Sequence, residues 1–82
     1  NAPTRLTPEQ ISGVYSHYTR TVVIHRRNGK LVASEQGRDV ELAPGKGNCY
    51  TAARAGNVCF ETGPDGRARY ALYGSRALAR QD

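Results

Sequence analysis

The stretch that decides the fold is TVVIHRRNGKLVASE, which spans residues 21–35. Its first four residues are β-branched, and such side chains favour an extended strand over a helix. Asn28 and Gly29 interrupt the run, and because both tolerate a positive φ they are a strong signal for a tight hairpin turn. The stretch therefore predicts two antiparallel strands, residues 21–26 and 30–35, with Leu31 and Ala33 on one face of the second.

The same kind of pattern continues outward from this hairpin. In residues 38–43, Val40 and Leu42 alternate with Asp39 and Glu41, as in a strand with one buried face. Glycine-rich turns separate further short runs that we interpret as strands, at residues 14–18, 48–53, 57–62, 67–73 and 77–79. Strands this closely spaced leave no room for crossover helices, which indicates meander connections and antiparallel pairing. We expect an all-β fold, a small antiparallel meander that forms a curved sheet or barrel of seven or eight strands.

The apolar residues on the inward faces of these strands form the predicted interior. They are Val22, Ile24, Leu31, Ala33, Val40, Leu42, Tyr50, Val58, Phe60, Tyr70 and Leu72.

A short helical turn is predicted ahead of the strands. Thr7 can cap its start, Pro8 suits the first helical position and Gln10 completes a capping box. We expect residues 7–82 to form a single β domain and residues 1–6 to be a linker or a mature N-terminus. The chain contains no Met, so we expect Asn1 to follow either a removed signal peptide or a longer preceding polypeptide.

The two cysteines of the chain, Cys49 and Cys59, are equidistant from Arg54. If their strands pair about Arg54, the cysteines stand directly opposite, and Tyr50 faces Val58 on the other side of the sheet. A disulfide fits this register and implies an oxidising compartment, hence a periplasmic or secreted protein. The alternative is a pair of free buried thiols in a cytosolic protein.

No residue pattern in the chain is typical of a catalytic or metal site. The four serines, Ser12, Ser16, Ser34 and Ser75, lie outside the G-x-S-x-G and S-x-x-K contexts that activate a serine. His17 and His25 have no further ligands at metal-binding spacing. Gly45-Lys46-Gly47 lacks the rest of a phosphate-binding loop and reads as a turn. We expect no catalytic residue, no metal and no cofactor.

The net charge of +5 comes mostly from arginines, which are spread along the chain. No basic run exceeds two residues, so nucleic acid is an unlikely partner. No apolar run is long enough for a membrane-spanning helix. Five residues, tyrosines expected at strand ends and nearby arginines, form the candidate ligand or partner surface. They are Tyr15, Tyr18, Tyr73, Arg20 and Arg26.

The order of motifs resembles a known family. The chain has LTPEQ followed by GVY at residues 6–15, a strand pair around Asn28-Gly29, VELAP at residues 40–44, VCFE at residues 58–61 and PDGR at residues 64–67. This series is similar to the small lipocalin-like β domain that lies C-terminal to the catalytic domain of β-lactamase and penicillin-binding-type serine hydrolases, with esterase and D-aminopeptidase relatives.

The resemblance implies a non-catalytic accessory domain of an exported serine hydrolase. Its partner would be the catalytic domain of the same or another polypeptide, or an envelope protein. The alternative is a free-standing periplasmic or secreted binding protein, either an enzyme inhibitor or a carrier of a small ligand. A third hypothesis is a nucleic-acid-binding β-barrel, in which exposed tyrosines would stack on bases.

Overall fold

A computed structural model of the chain describes residues 5–52 and 56–81. Within these residues the chain forms one short helix and eight strands, and the strands follow one another around a closed antiparallel barrel in chain order. This confirms the predicted all-β meander. The elements are α1 Pro8–Ile11, β1 Gly13–His17, β2 Arg20–Arg27, β3 Lys30–Glu35, β4 Arg38–Pro44, β5 Cys49–Ala52, β6 Gly56–Thr62, β7 Ala68–Tyr73 and β8 Arg76–Arg80.

The barrel closes between its first and last strands. Tyr15 and Ser16 of β1 pair with Arg80 and Ala79 of β8, while β1 also pairs with β2 along its length. Closure of this kind removes the exposed sheet edge at which another chain could add a strand.

The connections alternate between the two ends of the barrel because consecutive strands run in opposite directions. One end, called the helix end below, carries α1 and the connections at residues 28–29, 45–48 and 63–67. The opposite end, called the open end, carries the turns at residues 18–19, 36–37 and 74–75.

The hairpin turn predicted at Asn28 is confirmed. Asn28 and Gly29 have φ angles of 54° and 78°, and β2 pairs with β3 right up to this two-residue loop. Gln36 and Gly37 repeat the geometry between β3 and β4, with φ angles of 51° and 78°. Two successive positive φ angles match the twist of the flanking strands, which explains why such short loops join them.

Helix α1 begins as the sequence predicts. The Thr7 hydroxyl accepts the backbone N–H of Gln10 at 3.3 Å, and the Gln10 side chain accepts that of Thr7 at 2.8 Å, which completes the capping box. Ile11 is fully buried, and Leu6, just ahead of the helix, also belongs to the core. The folded domain therefore includes Leu6, which the predicted boundary leaves in the linker.

The interior is filled by side chains from α1 and from all eight described strands. Eight residues of the predicted core are buried, namely Val22, Ile24, Leu31, Ala33, Leu42, Tyr50, Val58 and Phe60. Val40 is partly buried and packs against them. The Phe60 ring lies between two tyrosines, with centroids 5.8 Å from both Tyr15 and Tyr50. Burying each large apolar side chain contributes about 1.5–3 kcal/mol to folding.

The predicted inward face of β7 is wrong at Tyr70 and Leu72. Thr62 of β6 pairs with Ala68, but the preceding Glu61 pairs with Tyr70, so Arg69 is an extra residue in a β-bulge. A shift of one residue exchanges the two faces of a strand. Ala71 consequently points inward and is fully buried, whereas Tyr70 and Leu72 turn outward and are half-buried.

The register predicted for the two cysteine strands is confirmed. Cys49 pairs with Cys59 and Tyr50 with Val58, and the two sulfurs form a disulfide with a Cα–Cα distance of 3.9 Å. The turn predicted near Arg54 lies outside the described residues. The bond joins the outward faces of β5 and β6, opposite the buried side chains of Tyr50 and Val58.

Candidate functional site: the two ends of the barrel

The five residues of the predicted partner surface do not form one surface. Tyr18, Arg20 and Tyr73 lie together at the open end, and Arg26 lies at the helix end. Arg26 forms an ion pair there with Glu9 of α1. The structure therefore supports a shared location for three of the five.

Tyr15 is not a surface residue, contrary to the prediction. Its side chain is fully buried and faces the barrel interior, where its ring packs against Phe60. Its hydroxyl donates a hydrogen bond to the carbonyl of Ile11 and accepts one from Arg80 at 3.1 Å. Tyr15 lies in the middle of β1 rather than at its end, because the strand starts at Gly13 and runs to His17.

At the open end, the side chain of Arg20 crosses the mouth of the barrel. Arg20 starts on β2, and its Nε and Nη2 donate to the two carboxylate oxygens of Glu35 on β3 at 2.8 and 3.1 Å. Its guanidinium carbon also lies 4.6 Å from the ring centroid of Tyr73 on β7, which is separated from β2 by β1 and β8. Arg20 thus connects opposite walls of the barrel.

The electrostatics of this cluster favour a charged guanidinium beside a neutral phenol. The hydrogen bonds that Arg20 donates to Glu35 raise the pKa of Arg20 above its ordinary value, and burial raises the pKa of Tyr73. The Arg20 and Glu35 side chains remain 29% and 32% exposed. Their pair is therefore rigidly placed but still reaches solvent.

Two further arginines start from the rim of the open end. Arg38 pairs with Glu35 across the turn at residues 36–37, and Arg76 pairs with Tyr73 across the turn at residues 74–75. Directly paired residues share a face of the sheet, so both arginines start from inward-facing positions. Both are exposed, and neither forms an ion pair with the described residues.

At the helix end, the side chain of Arg80 fills the mouth of the barrel and lies against α1. Its Nη1 donates to the carbonyls of Gln10 and Ala68 at 3.2 and 3.1 Å, and its Nη2 donates to the carbonyl of Ser12. A Cβ on Gly13 would lie 2.8 Å from the Arg80 guanidinium, so this glycine makes room for it. Sequence reasoning did not identify Arg80, because its bonding partners are distant in the chain.

An apolar groove opens beside α1 at the helix end, with a volume of about 590 Å³. Its apolar lining includes Pro8, Leu31, Leu42, Ala43, Pro44 and Tyr50. Leu31, Leu42 and Tyr50 belong to the core, so the groove reaches the outer edge of the hydrophobic core. A salt bridge between Lys30 and Glu41, at 3.6 Å, borders it.

A serine, a histidine and an aspartate meet on the outer face of β2, β3 and β4. His25 Nε2 lies 2.7 Å from the Ser34 hydroxyl, which donates to Asp39 at 2.6 Å. Hydrogen bonds from Arg27 and then Ser34 lower the pKa of Asp39. Because the serine has one proton and gives it to Asp39, His25 must be the donor to Ser34. A nucleophilic serine needs the reverse arrangement, with histidine accepting its proton.

No group of three or more His, Cys, Asp or Glu side chains is placed to hold a metal ion in the described part of the chain. Residues 5–52 and 56–81 also contain no helix that is long and apolar enough to span a membrane.

Comparison with known proteins identifies no relative. No protein-family model matches the chain, and a search of curated proteins finds no significant match.

Proposed function

We propose that the chain is a non-catalytic accessory domain of an exported serine hydrolase and that it contacts the catalytic domain through the apolar groove at the helix end. The groove is the single observation that carries this assignment. Its lining combines the exposed Ala43 and Pro44 with the outer edge of the core beside α1, and apolar pockets of this kind accept anchoring side chains from a protein partner. The motif series from Leu6 to Arg67 supports the choice of partner.

The disulfide supports export. A bond between Cys49 and Cys59 persists in oxidising compartments and is rare in the cytosol. A periplasmic or secreted location is therefore part of the proposal.

The hydrogen bonds of Ser34 support a non-catalytic role. Its hydroxyl proton is directed to Asp39, whose lowered pKa keeps it ionised and makes it a weak base. His25 then stabilises the serine oxygen as a donor instead of removing its proton. The three residues act as a clamp across β2, β3 and β4.

The position of the N-terminal segment supports the groove as the contact. Leu6 N donates to the Asn48 side chain at 2.8 Å, and Arg5 lies over the Tyr50 ring at 5.7 Å, so this segment crosses the helix end. In the family that the chain resembles, the catalytic domain precedes the β domain. A domain joined ahead of Arg5 would lie at the same end as the groove.

Site-specific cross-linking tests this proposal. A photoreactive benzoylphenylalanine replaces Thr51, which lines the groove, and in a matched control it replaces Gln36 at the open end. After irradiation in the producing cells, the envelope fraction is treated with a fluorophosphonate probe for active serine hydrolases. Mass spectrometry of cross-linked peptides identifies the partner domain, whether it lies in the same polypeptide or in another.

The proposal predicts a cross-link from position 51 to a fluorophosphonate-labelled domain and none from position 36. No cross-link from position 51, or one to an unlabelled protein, contradicts it. Fluorophosphonate labelling of Ser34 would contradict the non-catalytic assignment.

A second candidate function is that of a small-ligand carrier, which the size of the groove favours. A volume of about 590 Å³ lies within the range of small-molecule pockets. A carrier should bind the apolar dye N-phenyl-1-naphthylamine saturably, and Ala43→Trp, which fills the groove, should abolish the fluorescence gain. Thr62→Trp, away from the groove, is the control. Dye binding without the cross-link from position 51 would favour the carrier.

A further inference from the structure

We propose that the open end of the barrel is a binding site for a multivalent anion carrying carboxylate or phosphate groups, held by Arg20, Arg38 and Arg76. This site is separate from the groove, which lies at the other end of the barrel. It does not depend on the serine-hydrolase assignment.

Positive and negative charges are unequal in number around the mouth of the barrel. Inward-facing positions at the open end supply three guanidinium groups, from β2, β4 and β8, and one carboxylate, Glu35. Positive charge is therefore in excess at one small rim of a protein whose net charge is +5. Like charges gathered at one small rim attract counter-ions and raise their local concentration.

Glu35 already occupies part of this site as an anion. Its carboxylate takes two donors of Arg20 in the bidentate geometry that guanidinium groups offer to carboxylates and phosphates. Nη1 of Arg20 makes no hydrogen bond to residues 5–52 or 56–81. An external anion can bind this remaining edge while Glu35 keeps the other.

Arg20, the central donor of the site, is held in place before a ligand arrives. Its guanidinium lies between the Glu35 carboxylate and the Tyr73 ring, whereas Arg38 and Arg76 are fixed at the backbone, where each follows a tight two-residue turn. Preorganised donors lose little conformational entropy on binding, which increases affinity.

The geometry also sets the valency of the ligand. Strands β4 and β8 are four positions apart in an eight-stranded barrel, so Arg38 and Arg76 start from opposite sides of the mouth, with Arg20 between them. A ligand with two anionic groups can pair with guanidinium groups on both sides at once. The ligand should carry at least two anionic groups, one for each side.

The test is an NMR titration that follows the Nε–H signals of the arginines, with citrate and tripolyphosphate as separate carboxylate and phosphate probes. We expect saturable shifts at Arg20, Arg38 and Arg76 with at least one probe, and the tighter probe identifies the anion class. Affinity should fall as salt is raised, because the contacts are ionic. No saturable shift at these arginines with either probe would overturn the proposal.

A matched pair of double variants separates a local site from general charge attraction. Arg38→Gln with Arg76→Gln should weaken binding at least tenfold. Lys46→Gln with Arg69→Gln removes the same charge from the helix end and should change affinity less than twofold. Glu35→Gln removes the internal competitor and should tighten binding severalfold. An equal loss of affinity in both double variants would show general charge attraction and overturn the site.

Discussion

The two ends of this barrel are each closed by one arginine, and the arginines differ in what surrounds them. Arg80 at the helix end is held by neutral oxygens, three carbonyls and the buried Tyr15 hydroxyl. Arg20 at the open end is held by a carboxylate and a ring, and it shares the rim with Arg38 and Arg76. Fixed carbonyls cannot be replaced by a ligand, whereas a carboxylate contact can be shared with another anion. The comparison therefore favours a structural role for Arg80 and an anion-binding role for Arg20.

The largest effect should come from removing the helix-end arginine. Arg80→Met leaves three carbonyls and the Tyr15 hydroxyl without their donor, which should lower the free energy of unfolding by about 3 kcal/mol. Arg76→Met, on the same strand but at the open end, should cost less than about 0.5 kcal/mol. Urea denaturation of the two variants measures both values. Equal stability of Arg80→Met and the parent would remove the structural role.

The disulfide should contribute almost as much as Arg80. In the chain-entropy model a loop of this length stabilises the fold by about 2.5–3 kcal/mol. Reduction should therefore lower the melting temperature by about 10 °C or more in a domain of this size. Thermal scans with and without reductant test this, and thiol titration of the unfolded, unreduced protein should find no free thiol. An unchanged melting temperature would show that the bond does not stabilise the barrel.

The close approach of Gly13 to Arg80 allows a test of whether the position of the Arg80 guanidinium matters for stability. In Gly13→Ala the new Cβ would stand 2.8 Å from the guanidinium carbon, which must shift away from its carbonyl partners. We expect a loss of about 1–2 kcal/mol by urea denaturation. The loss should shrink in an Arg80→Met background, since the displaced group is then absent. The same cost in both backgrounds would mean that the glycine acts through something other than Arg80.

The smallest effect is the pH dependence of the stability that Asp39 contributes on the outer face of the barrel. The pKa of Asp39 is lowered in the folded state, first by its hydrogen bond from Arg27. Its contribution to stability is therefore present above the unfolded pKa of about 3.9 and is lost as the pH falls through the lower folded value. Asp39→Asn should be less stable than the parent at pH 7, and the difference should vanish near pH 2. A difference that persists in acid would contradict the shift.

Local signals in the sequence predicted much of the barrel wall. Asn28-Gly29 predicted its turn because both residues favour positive φ, and the spacing of Cys49 and Cys59 predicted their pairing because a strand alternates strictly. The inward face of β7 was missed because the bulge at Arg69 inserts a residue that no local pattern announces. These signals come from residues close together in the chain. They therefore predict strands and turns better than they predict sites, which combine residues from distant strands.

The candidate sites were harder to predict because closure brings distant residues together. Arg80 meets Gln10 and Ser12 only when β8 pairs with β1, and Arg20 reaches Tyr73 only across the closed mouth. The sequence does not reveal that Tyr15 is buried, because tyrosine suits both environments and β1 starts at Gly13, one residue before the predicted strand. The alternation of apolar and polar residues marks inward positions only where they are apolar. It therefore gives no sign that Arg20 and Arg80 face the barrel interior.

The most direct measurement of the central claim is the melting temperature of the parent, Arg20→Met and Arg80→Met with and without citrate. A ligand that binds the folded state raises the melting temperature. We predict that Arg80→Met melts far below the parent yet keeps the increase produced by citrate, while Arg20→Met stays within about 1 kcal/mol of the parent and loses most of that increase. If Arg20→Met is as unstable as Arg80→Met, or if Arg80→Met loses the citrate effect, the two arginines do not divide stability and anion binding between them.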